Sequence, residues 1–256
     1  MSGKKIQIVT IATGLYRKLL DEFIKNVSQT FLRENLRFQI NILTDQVERD
    51  VVDDFKCSYF QISHKQWPLP TLERYKNFLL LEDSVHVDDL VIYSDVDMKF
   101  LAPINPDITK FLFGVDHPGY FNRKKKPFIT DPKSKIYIKP NDRERYICGG
   151  LQGGVAKYFF EASRTLSKLI EQDILYKNIP KWHDESYWNY YYHSNKEKFV
   201  ILGPEYCWPE EWAREQFEGK VLALTKDKDL TKSKSNTNFI LTKAGRIKRM
   251  LRKSTY

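Results

Sequence analysis

Cysteine is scarce. Cys57, Cys148 and Cys207 are the only three in 256 residues, and their odd number and wide spacing exclude a disulfide framework and a zinc-cluster spacing. A reducing compartment is the expectation. Also missing is any apolar stretch long enough to cross a bilayer, and Met-Ser-Gly-Lys-Lys leads into a short apolar run with no hydrophobic leader core. The chain as given therefore reads as cytoplasmic. Acids are scarce in one place only. From Lys220 to Tyr256, eight Lys and three Arg meet just Asp227 and Asp229, which accounts for the whole formal charge of +9 and leaves residues 1–219 neutral. A neutral body excludes a domain-wide polyanion face, so no nucleic-acid partner is expected; the basic tail is suited to phosphates or an anionic membrane surface.

What is present is a globular composition. Hydrophobic residues at 41% and charged residues at 29% exclude a disordered chain and suit a single catalytic domain, taken as residues 1–230, followed by a tail of residues 231–256. The apolar run Ile6 to Ile11 reads as a strand and Tyr16 to Leu32 as a helix. Strands over Phe38–Leu43, Ser58–Ile62 and Leu90–Tyr93 surround a helix over Leu72–Leu81. This alternation predicts an α/β fold with a largely parallel sheet flanked by helices, in which ligands collect beyond the carboxyl ends of the strands. Thr10, Thr13 and Ser94 stand at those ends. Beyond Phe100, six prolines and the run Arg123 to Lys126 read as a loop region over the site. Further on, Tyr158–Leu175 and Asp184–Tyr192 have helical spacing, while Phe199–Leu202 and Val221–Leu224 read as strands. In the tail, Ile240, Ala244, Ile247 and Leu251 would share one helical face, opposite Lys243, Arg246, Arg249 and Arg252.

Three local features carry chemistry. Leu90-Val91-Ile92-Tyr93-Ser94-Asp95-Val96-Asp97 runs a buried strand into two carboxylates one residue apart, and continued strand geometry would point both to one side, where they can share a hard divalent cation. Any Asp-x-Asp can also be a solvated turn. Tyr146-Ile147-Cys148-Gly149-Gly150-Leu151-Gln152-Gly153-Gly154 concentrates four of the 11 glycines; it is either a plain turn or a place where a ring approaches the backbone. Trp182-His183-Asp184-Glu185-Ser186 opens a helix with acids, which also has the ordinary reading of helix-dipole compensation.

Taken in order and spacing, Asp95-Val96-Asp97-Met98, Leu112-Phe113-Gly114 with His117-Pro118-Gly119, the paired glycines at 149–150 and 153–154, Trp182 to Ser186, and Pro204-Glu205-Tyr206 resemble glycosyltransferase family 6. That family includes the blood-group A and B transferases and the α-1,3-galactosyltransferases, and the resemblance spans roughly Ile8 to Lys226. It implies a GT-A fold, a Rossmann-like mixed sheet flanked by helices. It also implies a retaining transfer of N-acetylgalactosamine or galactose from a UDP-sugar to an oligosaccharide or glycolipid, forming an α-1,3 linkage with Mn²⁺ or Mg²⁺ as cofactor. At matching positions, Ile11, Ala12, Thr13 and Tyr16 would cradle uracil and ribose, and Arg74 and Ser94 would lie at the donor. Asp95 and Asp97 would hold the metal, Cys148, Gly149 and Gly150 would select the donor sugar, and Asp184 would contact it. Lys226 would meet the diphosphate. His117, Trp182, His183 and Glu185 would face the acceptor, with Glu185 the catalytic carboxylate. Cys148 and Pro209 depart from the blood-group pattern, which leaves the exact donor and acceptor open.

The chemistry calls for these residue types. Breaking the anomeric bond leaves negative charge on UDP and positive charge on the sugar, so a cation and a carboxylate are both required. Two other readings compete. A GT-A transferase of another family, inverting in outcome, would keep Asp95 and Asp97 without needing Glu185. A membrane- or nucleic-acid-binding module would depend on the tail alone.

Overall fold

The computed structural model describes residues 4–47, 57–212 and 218–225. The expected tail helix and Lys226 lie outside them. Ten strands are described: β1 (Ile6–Ala12), β2 (Phe38–Thr44), β3 (Cys57–Gln61), β4 (Leu90–Ser94), β5 (Met98–Phe100), β6 (Leu112–Val115), β7 (Leu151–Val155), β8 (Phe199–Leu202), β9 (Trp208–Pro209) and β10 (Val221–Ala223). The helices are α1 (Leu20–Arg33), α2 (Leu69–Leu72), α3 (Arg74–Phe78), α4 (Ala156–Tyr176) and α5 (His183–Ser194).

Seven strands form one sheet in the order β3-β2-β1-β4-β7-β6-β8, and β5, β10 and β9 form a small second sheet. The first four strands of the large sheet pair in parallel. β7 runs antiparallel between β4 and β6, which makes the sheet mixed. Alternation within the strands explains the two-sided core. In β1 and β4, Ile6, Ile8, Leu90 and Ile92 face a cluster that includes α1 residues Phe23, Val27 and Phe31. Val9, Val91 and Tyr93 face the opposite cluster, built from Tyr75, Phe78, Phe159 and Trp188 of α3, α4 and α5. Fully burying each such side chain is worth about 1.5–3 kcal/mol, so the sheet is held from both faces.

Several elements differ from what sequence patterning predicts. The helix expected over Tyr16–Leu32 begins as a 3-10 turn, Gly14–Leu19, and becomes α-helical only from Leu20. Gly14 N donates to the Asp45 carboxylate at 3.1 Å, and Tyr16 N to the Thr13 carbonyl at 3.2 Å, which tightens the chain at the end of β1. The helix expected over Leu72–Leu81 is broken up: Glu73, at φ −89°, ψ 1°, separates Leu72 at the end of α2 from α3, and a 3-10 turn follows over Leu79–Ser84. Strand β7 was hidden by its glycines. A Cβ on Gly153 would run into the Val91 carbonyl and the Phe113 ring. That pair of glycines therefore serves close strand packing in the middle of the sheet, not a ligand.

Candidate functional site

Strand β4 delivers the central feature. It ends at Ser94, and Asp95 to Met98 form a tight turn closed by a hydrogen bond from Met98 N to the Asp95 carbonyl (3.2 Å) before β5 begins. The two aspartates thus lie on a turn, not on continued strand. Asp95 N donates to the Gly150 carbonyl (2.8 Å), pinning the turn to the glycine pair. Both aspartates line a cavity of about 560 Å³ at the carboxyl ends of β1 and β4, together with Ile11, Thr13, Tyr16 and Arg74. That volume is typical of a small-molecule site, and its position follows the strand-end rule for α/β sheets.

Arg74 is the hub. Its guanidinium donates to Asp184 Oδ2 at 2.5 Å and to the Gly149 carbonyl at 2.8 Å through one nitrogen, and to Asp95 Oδ1 at 2.8 Å through the other. It also lies 4.5 Å over the Tyr93 ring, whose hydroxyl donates to Asp95 at 2.5 Å. Burial works against the Arg74 charge, but Asp184, with Tyr93 and Asp95, outweighs it and holds the group firmly cationic. For Asp184, burial dominates over Arg74 and pushes the carboxyl up to about 6. Arg74 therefore links three functional segments, and removing either partner of a buried pair would strand a charge.

Glu185 stands on the first turn of α5. Its Oε2 accepts from Gly149 N at 3.0 Å. Burial lifts its carboxyl to about 7, opposed by the Gly149 N–H and by the nearby Tyr146 hydroxyl, which is otherwise without a regular hydrogen bond. Asn189, one turn later, donates to the carbonyls of Glu185 (2.9 Å) and Ile147 (2.8 Å) and accepts from Ile147 N (2.9 Å). This bridge locks α5 to the segment carrying the glycine pair. A Cβ on Gly149 would come within 3.3 Å of both Asp184 and Glu185, so the absence of a side chain there lets both carboxylates close on the backbone.

Of the residues anticipated for donor binding, Ile11, Thr13, Tyr16, Arg74 and Asp95 wall the cavity. Asp184, Gly149 and Gly150 join it through Arg74 and the Asp95 turn. Ala12, Ser94 and Cys148 are instead buried. Ala12 and Cys148 pack in the core, the latter beside Cys207, and the Ser94 hydroxyl donates to the Asp95 carbonyl. Ala12 and Ser94 end β1 and β4, where alternate residues face away from the ligand side, while Cys148 lies outside any strand and is held back by its packing in the core. Lys226 is outside the described residues, although Leu224 N donates to the Asp97 carbonyl (2.9 Å) and brings the chain back to the aspartate turn.

Of the residues anticipated for the acceptor, Trp182 and His183 immediately precede Asp184 and Glu185 at the start of α5, and His117 stands against Tyr146, which adjoins Glu185. His183 has φ 41°, uncommon for a residue with a side chain, and its ring meets Trp67 edge-on at 4.9 Å. Trp182 is exposed at 39%. His117 packs on Tyr120 and Tyr146; burial lowers its imidazole to about 4, so it is neutral. Its Nδ1 accepts from Gly119 N (3.0 Å), which places the proton on Nε2. One wall was not anticipated. His64, Lys65, Gln66, Trp67 and Thr71 line the cavity after β3, and the strand-end rule that singled out Thr13 applies to this segment as well.

The fit for a divalent cation rests on the donor set. Asp95 and Asp97 line the cavity and would offer hard oxygen donors, and among the described residues no group of three or more potential ligands converges. Two carboxylates suit an Mg²⁺- or Mn²⁺-type ion that takes its other ligands from water and phosphate.

A mixed sheet of this order, with paired aspartates opening on a ligand-sized cavity at its strand ends, defines a GT-A-like glycosyltransferase. The chain belongs to glycosyltransferase family 6, whose sequence model matches residues 4–233. It is similar to the O-antigen biosynthesis glycosyltransferase WbnI of Escherichia coli, at 26% identity over 88% of this chain and 96% of that protein. Histo-blood group ABO system transferase 1 of Rattus norvegicus is 32% identical over 49% of this chain and 36% of its own length. Globoside alpha-1,3-N-acetylgalactosaminyltransferase 1 of Gallus gallus is 24% identical over 80% of this chain and 62% of its own. The chain thus matches nearly all of the bacterial relative but under two thirds of these two animal ones.

Proposed function

We propose that the protein transfers N-acetylgalactosamine or galactose from a UDP-sugar to an oligosaccharide or glycolipid, with retention of anomeric configuration and an α-1,3 linkage. The observation that carries this reading is the Asp95–Arg74–Asp184 chain, which ties the aspartate turn to the helix bearing Glu185. In this reading Ile11, Thr13 and Tyr16 receive the nucleoside at the end of β1. A divalent cation bound by Asp95 and Asp97 supplies charge neutralisation at the leaving diphosphate. Arg74 keeps Asp184 ionised and oriented toward the sugar, while Glu185 stands ready to stabilise the anomeric centre as ion-pair partner or nucleophile. Neutral His117, with its proton on Nε2, orients an acceptor hydroxyl. The test is UDP release from UDP-galactose, UDP-N-acetylgalactosamine and UDP-glucose with Mn²⁺, with and without candidate acceptors, followed by assignment of the product anomer. An inverted product would favour a GT-A transferase in which Glu185 is not needed as the carboxylate.

Gly150 supports a preference for the N-acetylated donor, since a Cβ there would stand 3.2 Å from Asp95 Oδ2 and fill space beside the metal carboxylate. Gly150→Ala is expected to slow both donors and to shift the rate ratio toward galactose by roughly tenfold. A ratio that does not move removes this position as selector.

Among the described residues no helix is long and apolar enough to cross a membrane. The basic residues 239–252 would, as an amphipathic helix, hold a cytoplasmic enzyme at the inner face of an anionic membrane, each cation adding about 1 kcal/mol. Flotation with anionic vesicles at low salt should be lost on truncation at Thr231; equal flotation of both forms rules the tail out.

A further inference from the structure

Just before the glycine pair stands a buried polar group that the transfer reading leaves unused. Tyr146 is 2% exposed. Its ring sits in a small satellite core with Phe128 and Ile138, edge-on to Phe128 and to Tyr120 at 5.2 Å each and 5.9 Å from His117. The hydroxyl is fully enclosed and makes no regular hydrogen bond. Buried donors are almost always paired, so an enclosed hydroxyl of this kind calls for an acceptor close by.

Backbone and side-chain hydrogen bonds fix which acceptor that is. Ile147, the next residue, donates from N to Asn189 Oδ1 (2.9 Å) and accepts at its carbonyl from Asn189 Nδ2 (2.8 Å), while the same Nδ2 donates to the Glu185 carbonyl (2.9 Å). On the other side, the Tyr146 carbonyl accepts from His117 N (2.9 Å). Asn189 is itself buried, so water does not compete with this clamp. It leaves the Tyr146 hydroxyl and the Gly149 N–H both directed on the Glu185 carboxyl. Burial, reinforced by Glu185, pushes the phenol well above its ordinary range, so it stays protonated and can only donate to a carboxylate. The ionised carboxylate offers more acceptor sites than the protonated acid, and a donor to charge is strongest where water is excluded.

We propose that Tyr146 is a positioning residue for transfer, its hydroxyl donating to Glu185 and holding that carboxylate charged and aimed at the anomeric centre. This deepens the transfer reading above and rests on it. It also gives Phe128 and Ile138 a task at the site, because they grip the ring that carries the hydroxyl.

The experiment uses the full chain. Infrared difference spectra taken across pH follow the protonated-carboxyl band that disappears in Glu185→Gln, which assigns it to Glu185; a band that survives belongs to Asp184 or another acid. The remaining groups facing Glu185 hold steady: Arg74 stays cationic, and the Tyr75 hydroxyl, raised by burial, and the Cys207 thiol, raised by its Cys148 partner and by burial, stay neutral. Tyr146→Phe keeps the ring and is expected to move the Glu185 midpoint up by about half a pH unit or more. Replacing Tyr146 by 3-fluorotyrosine, a stronger donor of nearly the same shape, is expected to move it down. Loosened packing would not give opposite shifts. In steady state, Tyr146→Phe should lower turnover near pH 7 by about tenfold, leave both KM values within about twofold, and carry the acid limb of the kcat profile upward in step. A midpoint unmoved in both proteins, or moved the same way in both, overturns the inference, as does turnover that does not fall. Midpoints that shift as expected in a protein that transfers no sugar would instead sink the transferase reading, so the two failures are separable.

Discussion

Glu185→Gln is expected to lower turnover by on the order of 10³-fold while leaving donor affinity within a few-fold of wild type. The side chain sits beneath the glycine pair, with Oε2 on Gly149 N, and glutamine keeps both the shape and that acceptor oxygen. What it removes is negative charge, which matters most when the anomeric carbon becomes cationic, so the loss belongs to the transition state and not to ground-state binding. The same substitution has an opposite effect on stability. Burial raises the Glu185 carboxyl from its ordinary 4.5 to about 7, so its contribution is fully present below about pH 4.5 and is lost as pH rises through 7. At pH 8 the ionised carboxylate is a liability of about 1 kcal/mol after allowance for its partial exposure. The ligand-free variant should therefore melt about 2–4 °C higher than wild type at pH 8 and no higher at pH 4. Steady-state rates at saturating donor and acceptor, with thermal unfolding at the two pH values, check both halves; unchanged turnover would remove Glu185 from the mechanism.

The paired substitution Asp95→Asn/Asp97→Asn is expected to abolish detectable transfer, a loss of at least about 10³-fold, and excess EDTA should do the same to the wild type until Mn²⁺ is restored. The aspartates differ in surroundings. Asp95 is already committed at Oδ1 to Arg74 and Tyr93, whereas Asp97 is buried at 6% exposure with its carbonyl tied to Leu224. Asparagine preserves these contacts in shape, and Arg74 keeps Asp184 as its charged partner, so the fold should survive, as circular dichroism can report. Loss of metal-dependent UDP binding in a folded variant is the expected signature. Full activity in excess chelator would end the metal assignment.

Much of this architecture is written in local pattern. Ile6, Ile8, Leu90 and Ile92 face one side of the sheet and Val9, Val91 and Tyr93 the other, and a short, nearly unbroken apolar run is the pattern of a strand buried on both faces. The long amphipathic spacing of α4 was equally legible. Asp95 and Asp97 stand out because an apolar run precedes them, whereas the acidic start of α5 by itself reads as helix-dipole compensation, and the resemblance to the family singled out Glu185.

The rest needed contacts that no local window contains. Strand β7 reads as a turn because Gly153 and Gly154 lack side chains, and only the Val91 carbonyl and the Phe113 ring, from strands on either side, explain them. Arg74 offers no hint in sequence that one guanidinium holds Asp95, Gly149 and Asp184, residues 21, 75 and 110 positions away. Sequence by itself determined the residue types, the two-residue and helical periodicities, the neutral body and the basic tail, because propensity, burial pattern and charge are properties of neighbours along the chain. Tertiary structure alone decided that Ala12, Ser94 and Cys148 stand behind the cavity wall, that the aspartates ride a turn, and that Tyr146 adjoins Glu185. Those depend on how the sheet twists and which distant segments it brings together, and only burial of the common core fixes that arrangement.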